Sequence, residues 1–155
     1  MSDVVVKASG EVFKPRYTLE QIEYAMAGSG AVTRTDDPKT HIFPETHRFT
    51  PGLYIRELYM PAGSFLMSKT HTTTHPYVVS QGVASVYSEQ DGPTLIIAPY
   101  TGITQAGTKR MLFIHEDTIW TTFHVTDLTD VAEIEKVIYA PWRNALIQGA
   151  NGELK

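Results

Sequence analysis

Cysteine is absent from the 155 residues, which excludes disulfides, thiolate nucleophiles and sulfur-ligated zinc or iron–sulfur centres. Any metal would have to sit on histidine, aspartate or glutamate. Long apolar runs are missing too. No stretch approaches the roughly 18 residues that mark a membrane helix, and the opening residues, MSDVVVKASG, lack the basic start and apolar core of a secretory signal. The expected location is therefore the cytoplasm, with no membrane partner. Strong charge of one sign is lacking as well: a net charge of −4 with histidines neutral provides no broad basic face for nucleic acid, although it leaves room for a local basic pocket. What is present is an ordinary globular mixture, 42% hydrophobic and 19% charged, which argues against disorder and against a fibre. The length suits one domain with one core.

Along the chain, residues 1–17 show no sustained periodicity and read as an arm with a short strand at Val4 to Lys7. Thr18-Leu19-Glu20-Gln21 reads as a capping box, in which the Thr18 hydroxyl accepts from the Gln21 N–H and the Gln21 side chain reaches back. It opens a helix that runs to about Ala27 and stops at Gly28 and Gly30. Residues 31–51 are polar with three prolines and read as loop with a brief strand. From Gly52 the pattern becomes a series of short β-type runs, LYIRELYM, SFLMSKTH, PYVVSQG, VASVYSE, PTLIIAP, KRMLFIH and TIWTTFHV, with no helix between them. Their spacing indicates a sandwich, barrel or jelly roll. Pro61-Ala62-Gly63, Asp91-Gly92-Pro93 and His115-Glu116-Asp117 read as turns. DVAEIEKVI, from Asp130 to Ile138, has an acidic first turn and apolar residues at helical spacing, so it reads as a short helix that flanks or closes the barrel. The tail QGANGELK reads as frayed.

One stretch carries a resemblance. Gly63 to Gly82, GSFLMSKTHTTTHPYVVSQG, resembles the first conserved motif of the cupin superfamily, which runs Gly, five residues, His, any residue, His, three or four residues, Glu, six residues, Gly. The spacing matches throughout, with Lys69, His71 and His75 in the three ligand positions. The second cupin motif, Pro-x-Gly, two residues, then His, is matched by Gln105-Ala106-Gly107-Thr108-Lys109-Arg110. Gly107 is kept, Gln105 replaces the proline, Arg110 replaces the histidine, and the motif's closing Asn falls at Ile114. The phrases TPGLYIRELYMPAG, THPYVVSQG and HEDTIWTTFH are also similar to cupin-like proteins encoded by phages and prophages, which would place the chain in a host cytoplasm. The resemblance implies an all-β-dominated, cupin-type β-barrel (jelly roll) over residues 52–126, with an N-terminal arm and short helix over 1–51 and a C-terminal helix and tail over 127–155. It further implies pairing of two chains into a homodimer.

A cupin of the usual kind holds a divalent metal on three histidines and one glutamate. Arginine cannot ligate, and lysine does so only when deprotonated at considerable cost, so the resemblance carries over His71 and His75 alone. A site for Zn, Fe, Ni or Mn would need His124 from TIWTTFHV as a third donor. As an anion site the same residues are better matched: Lys69 and Arg110 supply charge, the guanidinium offers a planar fork to phosphate or carboxylate, and imidazoles supply further hydrogen bonds. Arg56, at the parity of Tyr54 and Leu58 on LYIRELYM, either adds a third cation or faces water. Tyr77, Tyr87 and Trp120 either stack on a ligand ring, a nucleobase included, or fill the core. Four functions follow: a small-molecule-binding protein for a phosphate- or carboxylate-bearing, nucleotide-derived ligand; a metal-dependent cupin enzyme on His71, His75 and His124; a metal-independent phosphoesterase using His71 and His124, both in His-x-Thr sequences, as acid and base; and a structural or virion-associated module with the polar cluster making internal links. His41, His47 and His115 read as surface or turn residues.

Overall fold

The computed structural model describes residues 17–28 and 43–141. The expected strand at Val4 to Lys7, His41 and the tail QGANGELK lie outside the described residues.

The capping box forms as the sequence implies: the Gln21 N–H donates to the Thr18 hydroxyl at 3.2 Å and the Thr18 N–H to the Gln21 side chain at 2.9 Å. Helix α1, Leu19–Gly28, follows. It docks through Leu19 and Glu23, one turn apart and each 2% exposed. Glu23 pairs with Lys109 and the Leu19 N–H donates to Glu89.

Among the described residues, seven antiparallel strands make the body: β1 Glu45–Thr50, β2 Leu53–Met60, β3 Phe65–Met67, β4 His75–Ser88, β5 Gly92–Ile97, β6 Tyr100–Thr104 and β7 Arg110–Val125. β1 is the brief strand expected within 31–51. Two expectations are corrected. The runs PYVVSQG and VASVYSE are one strand, β4, and KRMLFIH and TIWTTFHV are one strand, β7. His115-Glu116-Asp117 is therefore not a turn but the middle of β7. Its polarity has a different cause: these residues are exposed where the strand bends, and the Asp117 carboxylate accepts the Ala62 N–H at 2.8 Å.

The bend lets two long strands serve two layers. The second half of β7 pairs with β2 and with the first half of β4, while its first half pairs with β3 and with the second half of β4. One layer thus runs β1-β2-β7-β4-β6 and the facing layer β3-β7-β4-β5. The register of β4 on β7 shifts between Val79 and Ala84, as β-bulges allow. Gly82 sits at that place with φ 100°, and a Cβ there would lie 2.5 Å from the Asp117 carbonyl oxygen. Only glycine fits both the torsion and the close approach.

Inward positions alternate as a pleat requires: Tyr54, Arg56, Leu58 and Met60 from β2 lie opposite His124, Thr122, Trp120 and Thr118 of β7. Tyr77, Val79, Ala84 and Val86 of β4 join Leu112, Ile114 and Trp120 in the main core. Helix α2, Val131–Ile138, closes one end. The Asp130 side chain caps it by accepting the Glu133 N–H, and Ile134 and Ile138 bury against Tyr54.

Candidate functional site

The segments matching the two motifs are held together by main-chain bonds, independent of the side chains they display. The His71 N–H donates to Thr108 O at 2.9 Å and the Gly107 N–H to His71 O at 2.7 Å. The Ser68 N–H donates to Arg110 O, and the Arg110 N–H returns to the Ser68 hydroxyl, each at 2.8 Å. On the other side, the Thr72 N–H donates to Ile138 O and the Ala140 N–H to Thr70 O. The segment carrying Lys69 and His71 is thereby fixed between β7 and the end of α2.

These constraints enclose a cavity of about 80 Å³ lined by Arg56, Lys69, His71, Thr104, Arg110, Thr122, Trp120 and Tyr139, with Leu58, Met60, Leu66, Leu112 and Ser68 completing the wall. Its cations differ in their partners. Arg56 is 5% exposed and bonds to both Glu45 and Glu135, the latter at 3.1 Å. Lys69 approaches the other oxygen of Glu135 at 3.6 Å and lies 4.5 Å from the Tyr139 ring centroid. Arg110, 8% exposed, donates to the Thr104 hydroxyl at 3.0 Å and packs over the rings of Tyr77 at 5.2 Å and Trp120 at 6.0 Å. It has no carboxylate partner among the described residues. Burial lowers its pKa, yet guanidinium starts so high that it stays charged. Burial opposes this charge, while Tyr77 and Asp91 favour it.

The histidines form a chain of rings: His71 to His75 at 4.8 Å between centroids, and His75 to His124 at 4.3 Å. His75 Nδ1 faces Thr73 O at 2.9 Å, and His124 Nε2 faces the Thr122 hydroxyl at 2.9 Å. Three buried nitrogens, His71 Nδ1, His75 Nε2 and His124 Nδ1, have no hydrogen-bond partner among the described residues. Burial, with the nearby charges of His75 and Arg110, pushes His71 down to about 3; burial, with His75 and Arg56, pushes His124 down to about 3. His75 is lowered as well, by burial and Arg110. All three are neutral at pH 7.

With this geometry in view, comparisons place the architecture. Ectoine synthase from P. lautus superposes with a TM-score of 0.53 at 14% identity, over 69% of this chain and 83% of that one. The fold is of the cupin type. Two other likenesses are a cupin-2 domain protein from Shewanella frigidimarina (TM-score 0.44, 8% identity, 54% of this chain and 80% of that one) and an RmlC-like cupin with a double-stranded β-helix fold from Methanocaldococcus jannaschii (TM-score 0.46, 8% identity, 59% and 86%). No protein-family model matches the sequence, and no curated protein sequence matches it. At these identities the likeness concerns the fold alone.

Cupin folds commonly bind metals, so the donors here were compared with that role. They do not fit it. Two of the four motif positions carry Lys69 and Arg110, and no group of three His, Asp or Glu side chains among the described residues is arranged to hold a metal ion.

Of the candidate residues, Lys69, His71, Arg110, Arg56 and Trp120 line the one cavity. His75 and His124 instead line an adjoining hollow beside Pro76, Phe123 and α2. His71 and His124 therefore do not share a cavity, as an acid–base pair would need, and neither is protonated at neutral pH to serve as the acid. Tyr77 stacks on Trp120 at 4.7 Å and 15°, so its ring faces core and Arg110. Tyr87 is partly buried on the opposite layer, away from the cavity. His47, expected at the surface, lies half-buried in β1 with Nδ1 2.7 Å from the Tyr54 hydroxyl, and His115 is an exposed strand residue whose Nε2 lies 2.7 Å from the Ser85 hydroxyl. Sequence reasoning missed Glu45, Glu135 and Thr104. Only Glu135 had a signal, a carboxylate beside the apolar stripe of an amphipathic helix.

No helix among the described residues is long and apolar enough to cross a membrane.

Proposed function

We propose that this cupin-type chain binds a small phosphate- or carboxylate-bearing ligand in the Arg110 cavity. One observation carries the reading: Arg110 is 8% exposed, has no carboxylate within hydrogen-bonding distance among the described residues, and lines a cavity that Lys69 and Arg56 also line. A buried charge without a counter-charge costs several kcal/mol, and a bound anion would offset that cost with charge-assisted, bidentate hydrogen bonds. The cavity's ~80 Å³ corresponds to about two to three waters at liquid density, room for a small anionic head group. A nucleotide-derived ligand would enter by its phosphate and leave its base outside. Location in a host cytoplasm and pairing into a homodimer complete the proposal.

Thermal-shift and calorimetric titration with phosphate and carboxylate salts tests it. A rise in melting temperature that disappears in Arg110→Ala and shrinks in Lys69→Ala supports the reading. If no anion raises the melting temperature, the reading fails.

A further inference from the structure

We infer that a further hollow, walled by β4, β5, β6 and the start of β7, is a site for a small zwitterion, with its carboxylate on Arg110 and its ammonium on Asp91. The inference goes beyond the anion reading: it concerns a different space, and it would stand if the inner cavity bound nothing.

The hollow, about 260 Å³, is lined by Tyr77, Ser88, Asp91, Thr94, Tyr100 and Arg110 together with apolar residues of the same strands. Strand register explains why these residues meet. Ser88 is the cross-strand partner of both Arg110 and Gly92, so the β4–β5 turn that carries Asp91 lies beside the start of β7. The Asp91 N–H donates to the Ser88 hydroxyl at 3.0 Å, which holds the turn. On the β6 side Gly102 pairs with Tyr77, where a Cβ would come within 2.5 Å of the ring. The missing side chain leaves room for that ring.

Of the lining residues, Arg110 and Asp91 alone are charged, one of each sign. They make no hydrogen bond or ion pair with each other. Among the described residues the buried guanidinium donates to Thr104 alone, which leaves most of its N–H groups without a protein acceptor. Asp91, at the exposed rim, accepts from the Ser88 hydroxyl at 3.5 Å, at the outer limit of a hydrogen bond. Burial opposes the charge on Arg110, and Tyr77, Asp91 and Tyr100 favour it; Asp91 thus acts on the guanidinium through the distance that separates them. Glu89 and Lys109, the neighbouring charges along the chain, engage helix α1 through the Leu19 N–H and Glu23.

An anion alone would be drawn to Arg110 and repelled by Asp91, and a cation alone the reverse. A molecule that bears both charges is attracted at each end and gains charge-assisted hydrogen bonds at both. The hollow's ~260 Å³ corresponds to about eight or nine waters at liquid density, room for an amino-acid-sized body.

Calorimetric titration and saturation-transfer NMR at pH 7 with α-aminobutyrate, γ-aminobutyrate, butyrate and butylamine provide the test. One of the two amino acids should bind at least about tenfold tighter than either singly charged analogue, the worth of one hydrogen bond to a charged group. Asp91→Asn, at an exposed turn position, should abolish that preference. Thr94→Trp, which fills the hollow from its exposed rim, should block binding, whereas Lys69→Ala, in the wall of the inner cavity and not of the hollow, should leave it unchanged. Butyrate or butylamine that matches both amino acids, or a preference that survives in folded Asp91→Asn, would overturn the inference. Amino-acid binding lost in Lys69→Ala would move the ligand to the inner cavity, overturning this inference while leaving the anion reading standing. If neither amino acid binds, the inference falls, and the phosphate and carboxylate titrations still decide the anion reading by themselves.

Discussion

The histidine chain makes stability depend on pH in a window where few other groups titrate. His71 and His124 are each pushed down to about 3 by burial, against about 6.5 in the unfolded chain. Because the folded values lie below the unfolded ones, the unfolded state takes up protons as pH falls below 6.5 and the native state does not, so acid favours unfolding until the folded values are reached. Between pH 7 and pH 5 each ring contributes a loss of about 2 kcal/mol, and the pair about 4 kcal/mol, by the linkage relation. That is a large share of the ~5–15 kcal/mol typical of a domain. Urea unfolding at pH 7, 6 and 5, followed by the fluorescence of buried Trp120, should show the midpoint falling steeply over this range, with no change in slope with denaturant. His124→Asn should remove about half of the dependence. A midpoint that stays constant from pH 7 to pH 5 would refute the assignment of neutral, buried imidazoles.

Other expectations follow from the same geometry. Gly82→Ala places a methyl 2.5 Å from the Asp117 carbonyl oxygen at φ 100° and should destabilise by about 3 kcal/mol or more, whereas Gly63→Ala, with the same sign of φ and nothing within 4 Å, should cost only about 1–2 kcal/mol; chemical denaturation of the two variants checks the contrast. Arg56→Ala removes the cation that Glu45 and Glu135 share and should cost about 2–3 kcal/mol, a loss that Glu135→Gln in the same chain should partly restore. The proposed homodimer is open to light scattering. Phe65, Phe113 and Leu95 are 42%, 40% and 49% exposed and lie in one row across the outside of the β3-β7-β4-β5 layer, so two copies that pair there should dissociate in Phe113→Glu. A monomeric parent protein removes that expectation.

What was legible in the sequence was mostly local. The capping box at Thr18 and the helix from Asp130 are decided within one turn of chain, and both formed. The parity of LYIRELYM put Arg56 on the face of Tyr54 and Leu58 but left open whether that face points inward or to water; in the structure Arg56 is buried. Misreadings came where a local signal had a non-local cause. Gly82 looks like a strand end, yet it is a bend that the Asp117 main chain makes obligatory. His115-Glu116-Asp117 looks like a turn because it is polar, yet its polarity reflects exposure on the outside of a bent strand. In the site, the cations were visible as motif departures, but their pairing was not. Glu135 lies 79 residues from Arg56, and no periodicity links them.

The two motif departures become intelligible once frame and chemistry are separated. The frame is main chain: the Gly107 N–H to His71 O, the His71 N–H to Thr108 O, and the reciprocal pair between Ser68 and Arg110 hold the segments together whatever side chains they carry. Lys69 and Arg110 can therefore stand at two of the four positions without loss of the barrel. Their effect is electrostatic. A cavity of neutral and anionic donors gains a positive centre only by binding a cation, and it loses that centre with the cation. With Arg110 at the cavity wall the positive charge is covalent and does not titrate over any accessible pH, while Glu45 and Glu135 quench the other two cations. The neutral state of His71 keeps a fourth charge from forming beside it. On the proposed reading, the fixed charge of Arg110 beside Trp120 would favour an anionic ligand. This is why replacing Arg110 by a neutral residue should change which ligands bind rather than whether the barrel folds.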